Sequence, residues 1–347
     1  MKKTVKLFGI AAIAAAIALI LAGCNLGTSG FGTITIPGLP EPPPPLPPPS
    51  FNLETQREEY PWQWVVTDDN TVIIVGYLGS GGHVDIPGTL DGLPVVAIAR
   101  PEYAGVWMPG WYPGFVGPPV FGTSGHATIT GIRPGPDGQL QIEWEGNPPS
   151  GTLTSVTIPD SVLAIGRGAF WDNRQLTSVN LPPNLISIAE YAFFFNGLTS
   201  LSIPQGVTYI GDLAFAGNEI GGSLFIPPSV RYLGGAAFEN NRLESVVIAY
   251  GLTEIQHWTF SSNSPLASVA IPASVNSIGE DAFNATGGQS LVSVTFGGVI
   301  APENIGRFNA VGVWQCAFPG DLSLRFAAGG PGTYVRAPGG GTWSRQN

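Results

Sequence analysis

Lysine is almost missing from this chain of 347 residues; it stands at Lys2, Lys3 and Lys6 and nowhere else. Without that leader, 11 Arg face 24 Asp and Glu, a net charge of −13. Such a surface excludes nucleic acid as a partner, because neutralising phosphates takes clustered Lys or Arg. Charged residues of all kinds reach only 11%. Cysteine occurs twice, too seldom for a disulfide scaffold, and histidine three times (His83, His126, His257), scattered and with little scope for His-based catalysis. What the chain does have is 48 Gly, 33 Pro and 44% hydrophobic residues, which excludes a wholly disordered polymer. Its length suits one or two domains.

The N-terminus reads as an export leader. Three lysines precede an uncharged run of 17 residues, Leu7 to Gly23, ending in Leu21-Ala22-Gly23-Cys24. That length is at the low limit for a membrane span, and the small residues before Cys24 suit a signal peptidase. The motif resembles the lipobox of bacterial lipoproteins. The resemblance implies cleavage after Gly23, lipidation of Cys24, and attachment to the bacterial envelope, outer-membrane or cell-surface exposed. Behind it, Pro37 to Pro49 holds 9 prolines in 13 residues. Proline fixes φ and lacks the N–H, so this stretch reads as a polyproline II rod of roughly 40 Å, a stalk lifting a domain off the membrane.

From residue 151 the sequence repeats itself. The anchors Ile158, Leu181, Ile203, Ile226, Ile248 and Ile271 are 23, 22, 23, 22 and 23 residues apart. Seven residues after each comes Ile165, Ile188, Ile210, Leu233, Ile255 or Ile278. Twelve after each comes Phe170, Phe193, Phe215, Phe238, Phe260 or Phe283. A period of 20–29 rich in Leu and Ile signals a leucine-rich solenoid. Within a coil, Val156 and Ile158 alternate with Ser155 and Thr157, the period of a half-buried strand. Pro follows five of the six anchors and ends each strand at one corner. The Ala-Phe segment is too short for a regular helix and reads as one helical or 3₁₀ turn with Phe plugging the core. Asn173, Asn196, Asn218, Asn240 or Asn241, and Asn263 recur where their amides can satisfy turn backbone.

The pattern resembles the BspA-like leucine-rich repeat family of bacterial surface proteins, apart from the family's frequent Cys after Ala-Phe, which is absent here. The resemblance implies a mainly β leucine-rich repeat solenoid and adhesin-like roles. Residues 60–99 resemble that family's opening unit, a capping hairpin (Trp62–Val66 and Thr71–Gly76) leading into a first coil at Val84–Ile86. The chain then divides into leader (1–23), lipid-anchored Pro-rich tether (24–59), capping hairpin and first coil (60–99), aromatic Gly/Pro-rich insertion with a hairpin (100–150), repeats (151–296) and a Gly-rich C-terminal cap (297–347).

Catalytic and metal motifs are weak. Gly76-x-x-Gly79-x-Gly81 follows a β-run but opens no helix, unlike a dinucleotide fingerprint. His83 and Asp85 share a strand face, yet two ligands make no metal site. Cys316, beside Ala317-Phe318, reads as a packed thiol. The outward sheet positions run from Ser155/Thr157 to Ser293/Thr295 as a small, uncharged stripe. The insertion is different: Trp107, Trp111, Tyr112, Phe115 and Phe121 crowd a Gly/Pro-rich stretch where no repeat position demands them, which marks them as ligand contacts or as a lid on the first coil. The reading is a non-catalytic, cofactor-free binding protein for a host, matrix or neighbouring-cell protein or glycan. A polysaccharide-binding or polysaccharide-degrading lipoprotein is the alternative.

Overall fold

The computed structural model describes residues 57–59, 61–67, 69–77, 79, 81–99, 128–134, 140–145, 153–284, 290–308, 314–315 and 317–346. The repeats wind into a β-solenoid with three walls. The first wall holds the strand that ends at each anchor. Gly82–Asp85, Leu153–Thr157 and Ser178–Asn180 pair in parallel, with Val84, Val156 and Val179 in register. Gly221–Ile226, Arg242–Ile248, Ser268–Ile271 and Ser293–Phe296 form a second parallel set. Between the two sets the coil at Thr199 is tied by single bonds, Thr199 N–H to Thr177 O at 3.2 Å and Gly221 N–H to Thr199 O at 3.1 Å.

The second wall is the short strand around the next inward residue. Leu93–Ile98, Ala164–Ile165, Ser187–Ile188, Tyr209–Ile210 and Tyr232–Leu233 run parallel, followed by Glu254–Ile255 and Ser277–Ile278. Trp62–Val66 and Val72–Tyr77 pair antiparallel, and the latter pairs in parallel with Leu93–Ile98. Trp64, Val72 and Ile74 lie on the open end of the core at 2%, 0% and 0% exposure. Thr128–Pro134 and Leu140–Glu145 form an antiparallel hairpin of their own.

The Ala-Phe segments make the third wall, as hydrogen-bonded turns rather than helices. Ala169 N–H reaches Gly166 O and Trp171 N–H reaches Gly168 O, both at 3.2 Å, two 3₁₀-like links between which the chain bonds to its neighbour. Gly168, Phe170 and Asp172 donate to the carbonyls of Glu190, Ala192 and Phe194 at 3.0, 2.8 and 2.8 Å. The same three-bond ladder recurs from coil to coil as far as Ser262 N–H on Asn284 O. Two residues per turn take the left-handed region to allow it, the tenth and fourteenth after the anchor. The tenth is Gly168, Tyr191, Leu213, Ala236, Trp258 or Asp281; the fourteenth is Asp172, Phe195, Gly217, Asn240 or Ser262.

Inside the walls lie two columns. Phe170, Phe193, Phe215, Phe238, Phe260 and Phe283 stack nearly parallel with centroids 5.0–5.8 Å apart, all buried. Each ring removed from water is worth roughly 1.5–3 kcal/mol, and the stack adds to it. The asparagines form the second column, with Asn241 rather than Asn240 as the buried member.

The repeat extends further than its regular spacing indicates. Phe296 pairs with Ile271, Ile305 bridges Ile278, and Phe318 stacks on Phe283 at 5.0 Å. The strand of this last coil falls inside the repeats read from sequence (151–296), and the rest of the coil, with Ile305 and Phe318, lies in the stretch read as cap alone. Gly332–Val335 then pairs antiparallel with Ser293–Phe296, and the helix Leu322–Gly329 covers the end through Phe326, 4.2 Å from Phe296. Buried Arg336 fastens this closure, its Nε on Leu291 O at 2.7 Å and its guanidinium 4.8 Å from the Trp343 ring.

Candidate functional site

Three exposed surfaces follow from the walls. On the first, the outward positions stand in register: Ser155 beside Ser178, and Ser223 beside Ser245, Ser268 and Ser293. Toward the middle this row gives way to apolar groups. Phe225 and Val247 are direct neighbours, 47% and 42% exposed, and Tyr250 just beyond the strand is 72% exposed. At the other end His83 Nδ1 lies 2.7 Å from Ser155 Oγ and His83 Nε2 lies 3.1 Å from Asp85 Oδ1. Asp85 is held below the usual carboxylate range by its bonds to Thr157 and His83. His83 and Asp85 are open to solvent on the sheet, their side chains 53% and 75% exposed. Among the described residues no three His, Cys, Asp or Glu side chains come together as a metal site would need.

The second wall carries a tyrosine pair. Tyr209 and Tyr232 stack at 4.9 Å, and their hydroxyls donate to Glu190 Oε1 at 2.7 Å and Asp212 Oδ1 at 3.2 Å. Burial, then the adjacent carboxylates, push both phenols well above their usual range, so both stay neutral hydrogen-bond donors at physiological pH. Asp212 also accepts from Gly235 N–H at 2.8 Å, which ties two coils together. His257 fills the space that Gly235 leaves, since a Cβ there would lie 2.7 Å from its ring.

The third wall bears an aromatic cluster that sequence reading passed over. Trp171 and Tyr191 pack on Phe194 at 6.4 and 5.5 Å, and Phe194 on Phe195 at 4.0 Å. Arginines rim it: Arg167 lies 5.2 Å from the Tyr191 centroid and Arg174 lies 5.7 Å from that of Phe195. Phe195 is 40% exposed, with a left-handed φ of 54° that costs an L-residue roughly 1–2 kcal/mol. A signal was present in the run Phe193-Phe194-Phe195, three phenylalanines where the repeat needs one.

Cys24, His126, Cys316 and the insertion aromatics Trp107, Trp111, Tyr112, Phe115 and Phe121 lie outside the described residues. Gly76, Gly79 and Gly81 lead into the strand Gly82–Asp85 and not into a helix, so that decoy is a turn.

Parallel coils of 22–23 residues around stacked Phe and Asn columns define a leucine-rich repeat solenoid. Residues 149–263 and 195–301 match the model of the BspA type leucine rich repeat region, in six copies. The repeat region of this chain belongs to that family. Among solved structures, a leucine-rich repeat protein from Bacteroides ovatus superposes with a TM-score of 0.50 at 20% identity, over 73% of this chain. The match spans 55% of that protein's length. A T. pallidum leucine rich repeat protein (TM-score 0.44, 23% identity, 62% of this chain and 81% of that one) and a leucine rich cell surface protein from Faecalibacterium prausnitzii (0.31, 20%, 69% and 76%) are more distant. No curated protein matches the sequence.

Proposed function

We propose that this chain is a lipid-anchored protein of the bacterial envelope that binds protein or glycan ligands of a host, a matrix or neighbouring cells, without catalysis. The observation that carries the reading is the exposed sheet face. Its register positions from Ser155/Thr157 to Ser293/Thr295 are uncharged, with charge confined to His83 and Asp85 at one end and to Arg242 and Glu244 where one strand begins, and Phe225 and Val247 stand in water as neighbours with Tyr250 exposed just beyond the strand. A solenoid offers such an extended rigid surface without needing a pocket, and apolar side chains exposed as a patch mark interaction sites. The insertion aromatics Trp107, Trp111, Tyr112, Phe115 and Phe121 are proposed as further ligand contacts, on composition. The leader, Cys24 and the proline-rich rod supply the anchor and the reach.

Two experiments test the reading. Cys24→Ala is expected to abolish incorporation of a fatty-acid probe and to release the protein from the membrane fraction; unchanged labelling overturns the anchor. The released variant is then applied to an array of glycans and matrix proteins. Binding is expected, with Trp111→Ala and Phe115→Ala weakening it at an unchanged melting temperature. An array silent throughout removes the binding function. A fall of several degrees with binding intact makes the insertion a lid on the first coil.

A further inference from the structure

In the five coils where it is described, the fourteenth position after the anchor turns through the left-handed region, and in four of them it holds residues that suit a turn: Asp172, Gly217, Asn240 and Ser262. Glycine, asparagine and aspartate accept this backbone with least strain, and a bulky ring does not. Phe195 occupies the position in the remaining coil, φ 54°. Burial does not compensate the strain, because the ring is 40% exposed. The turn itself gains the bond from Phe195 N–H to Ala216 O at 3.0 Å, but that bond needs only the backbone and not an exposed ring, so the choice of phenylalanine here points to a function.

The surroundings say which. The Phe195 ring lies against Gly217, where a Cβ would collide with it, and stacks on Phe194 at 4.0 Å. Trp171 and Tyr191 continue the apolar surface on the other side of Phe194. Polar groups border it in opposite-charge couples. Arg174 Nε bonds Asp172 Oδ1 at 2.7 Å, while the Arg174 guanidinium stands 5.7 Å from the Phe195 centroid. Arg167 faces Tyr191, and Glu190 holds the Tyr209 hydroxyl. Arg167 and Arg174 stand against Asp172, Glu190 and Asp212, two cations against three carboxylates, so the cluster holds no excess of positive charge for an acidic ligand and only one net negative charge for a basic one. It presents exposed aromatic surface with both donors and acceptors at its rim. That combination complements a hexopyranose, whose C–H face is apolar and whose edge is a ring of hydroxyls.

We propose that this edge of the solenoid, centred on Phe195, is a stacking platform for a neutral polysaccharide. Sugar C–H groups lie on Phe195 and Phe194, and Arg174 and Asp172 meet the hydroxyls. The inference rests on the binding reading above and gives it a ligand class and a second location. Asparagine is the natural test residue, since Asn240 occupies the equivalent turn. The full chain is run in native gels cast with a β-1,4-glucan, a β-1,3-glucan, an α-1,4-glucan or a β-1,4-mannan. Retardation is expected in at least one. Phe195→Asn is expected to lose about tenfold in affinity while its melting temperature holds or rises, because strain is relieved. Phe195→Tyr retains binding. Arg174→Gln, which leaves the backbone untouched, weakens it several-fold and keeps the inference testable if Phe195→Asn does not fold. Wild-type mobility unchanged in all four gels overturns the platform, as does retardation of Phe195→Asn equal to wild type. Binding of a fluorescent decaproline peptide in place of any polysaccharide also overturns it. Retardation lost in Trp111→Ala but kept in Phe195→Asn sinks this inference and leaves the broader binding function standing.

Discussion

Ile203→Asp is expected to melt the middle of the stack, whereas Ser202→Asp, one residue away, leaves stability nearly unchanged. Ile203 is the anchor of its coil and 5% exposed within the continuous core; Ser202 faces solvent. Its coil forms no first-wall strand between Ser178–Asn180 and Gly221–Ile226, so no sheet ladder stiffens the backbone at the new carboxylate. An unpaired charge in that column has neither water nor a cation, and a penalty of about 4 kcal/mol or more is expected. For a repeat region of this size that corresponds to a fall of about 10 °C in melting temperature. Coils touch only their neighbours, so the loss of hydrogen-exchange protection should begin at the coils anchored by Leu181, Ile203 and Ile226 and spread outward. Ser202→Asp adds an exposed charge to a protein that is already acidic, worth a few tenths of a kcal/mol. Equal shifts in the two variants, read by thermal melting, would contradict the facing of the first wall.

That facing was legible in the sequence because each coil solves one packing problem six times. Five of the six anchors are buried, and all six second-wall residues and all six phenylalanines are. Leu181 alone among these positions is half-buried. Where the spacing stretches, the repetition stops being visible. Phe296 is followed by Ile305 after nine residues instead of seven and by Phe318 after 22 instead of 12, so the part of the last coil beyond its strand looked like a cap. Yet Ala317-Phe318 repeats the Ala-Phe pair, and that was the available signal. The turn conformation was not legible. Two left-handed residues per turn would be announced by Gly or Asn, and the chain places Tyr191, Leu213, Trp258 and Phe195 there instead. Inter-coil bonding overrides local preference at those positions, since each turn gains three backbone hydrogen bonds to the next coil. The same override concealed the Phe195 cluster, because a run of phenylalanines beside a core plug reads as core.

The asparagine column leads to the second large effect, for Asn218→Asp. Asn218 is 5% exposed. Its Nδ2 donates to Phe193 O at 2.8 Å and Phe215 O at 3.0 Å, and its Oδ1 accepts from Leu198 N–H at 3.1 Å. One side chain thus satisfies backbone groups in two adjacent coils, and Asn241 repeats the arrangement one coil on, with Oδ1 on Ile220 N–H and Nδ2 on Phe215 O. Aspartate has the same shape and keeps the acceptor for Leu198, but an ionised carboxylate faces the two carbonyls with oxygen in place of N–H. Leaving buried acceptors unpaired costs about 1–3 kcal/mol each, and like-charged dipoles add to it. The variant is expected to lose about 3–5 kcal/mol at neutral pH, roughly 10 °C in melting temperature. It should also acquire a pH dependence that the wild type lacks at this position. Burial against carbonyls favours the protonated acid, so the folded-state pKa of the new carboxyl lies above its unfolded value. Stability is then greatest below the unfolded pKa, where both states are protonated and the acid O–H replaces one lost donor, and it declines as pH rises through the folded pKa. Thermal melts of variant and wild type at pH 4 and pH 7 measure it directly: the gap between them should be smaller at pH 4. A gap that is the same at both values, or a variant as stable as the wild type at pH 7, means that the amide nitrogen of Asn218 does not hold the coils together.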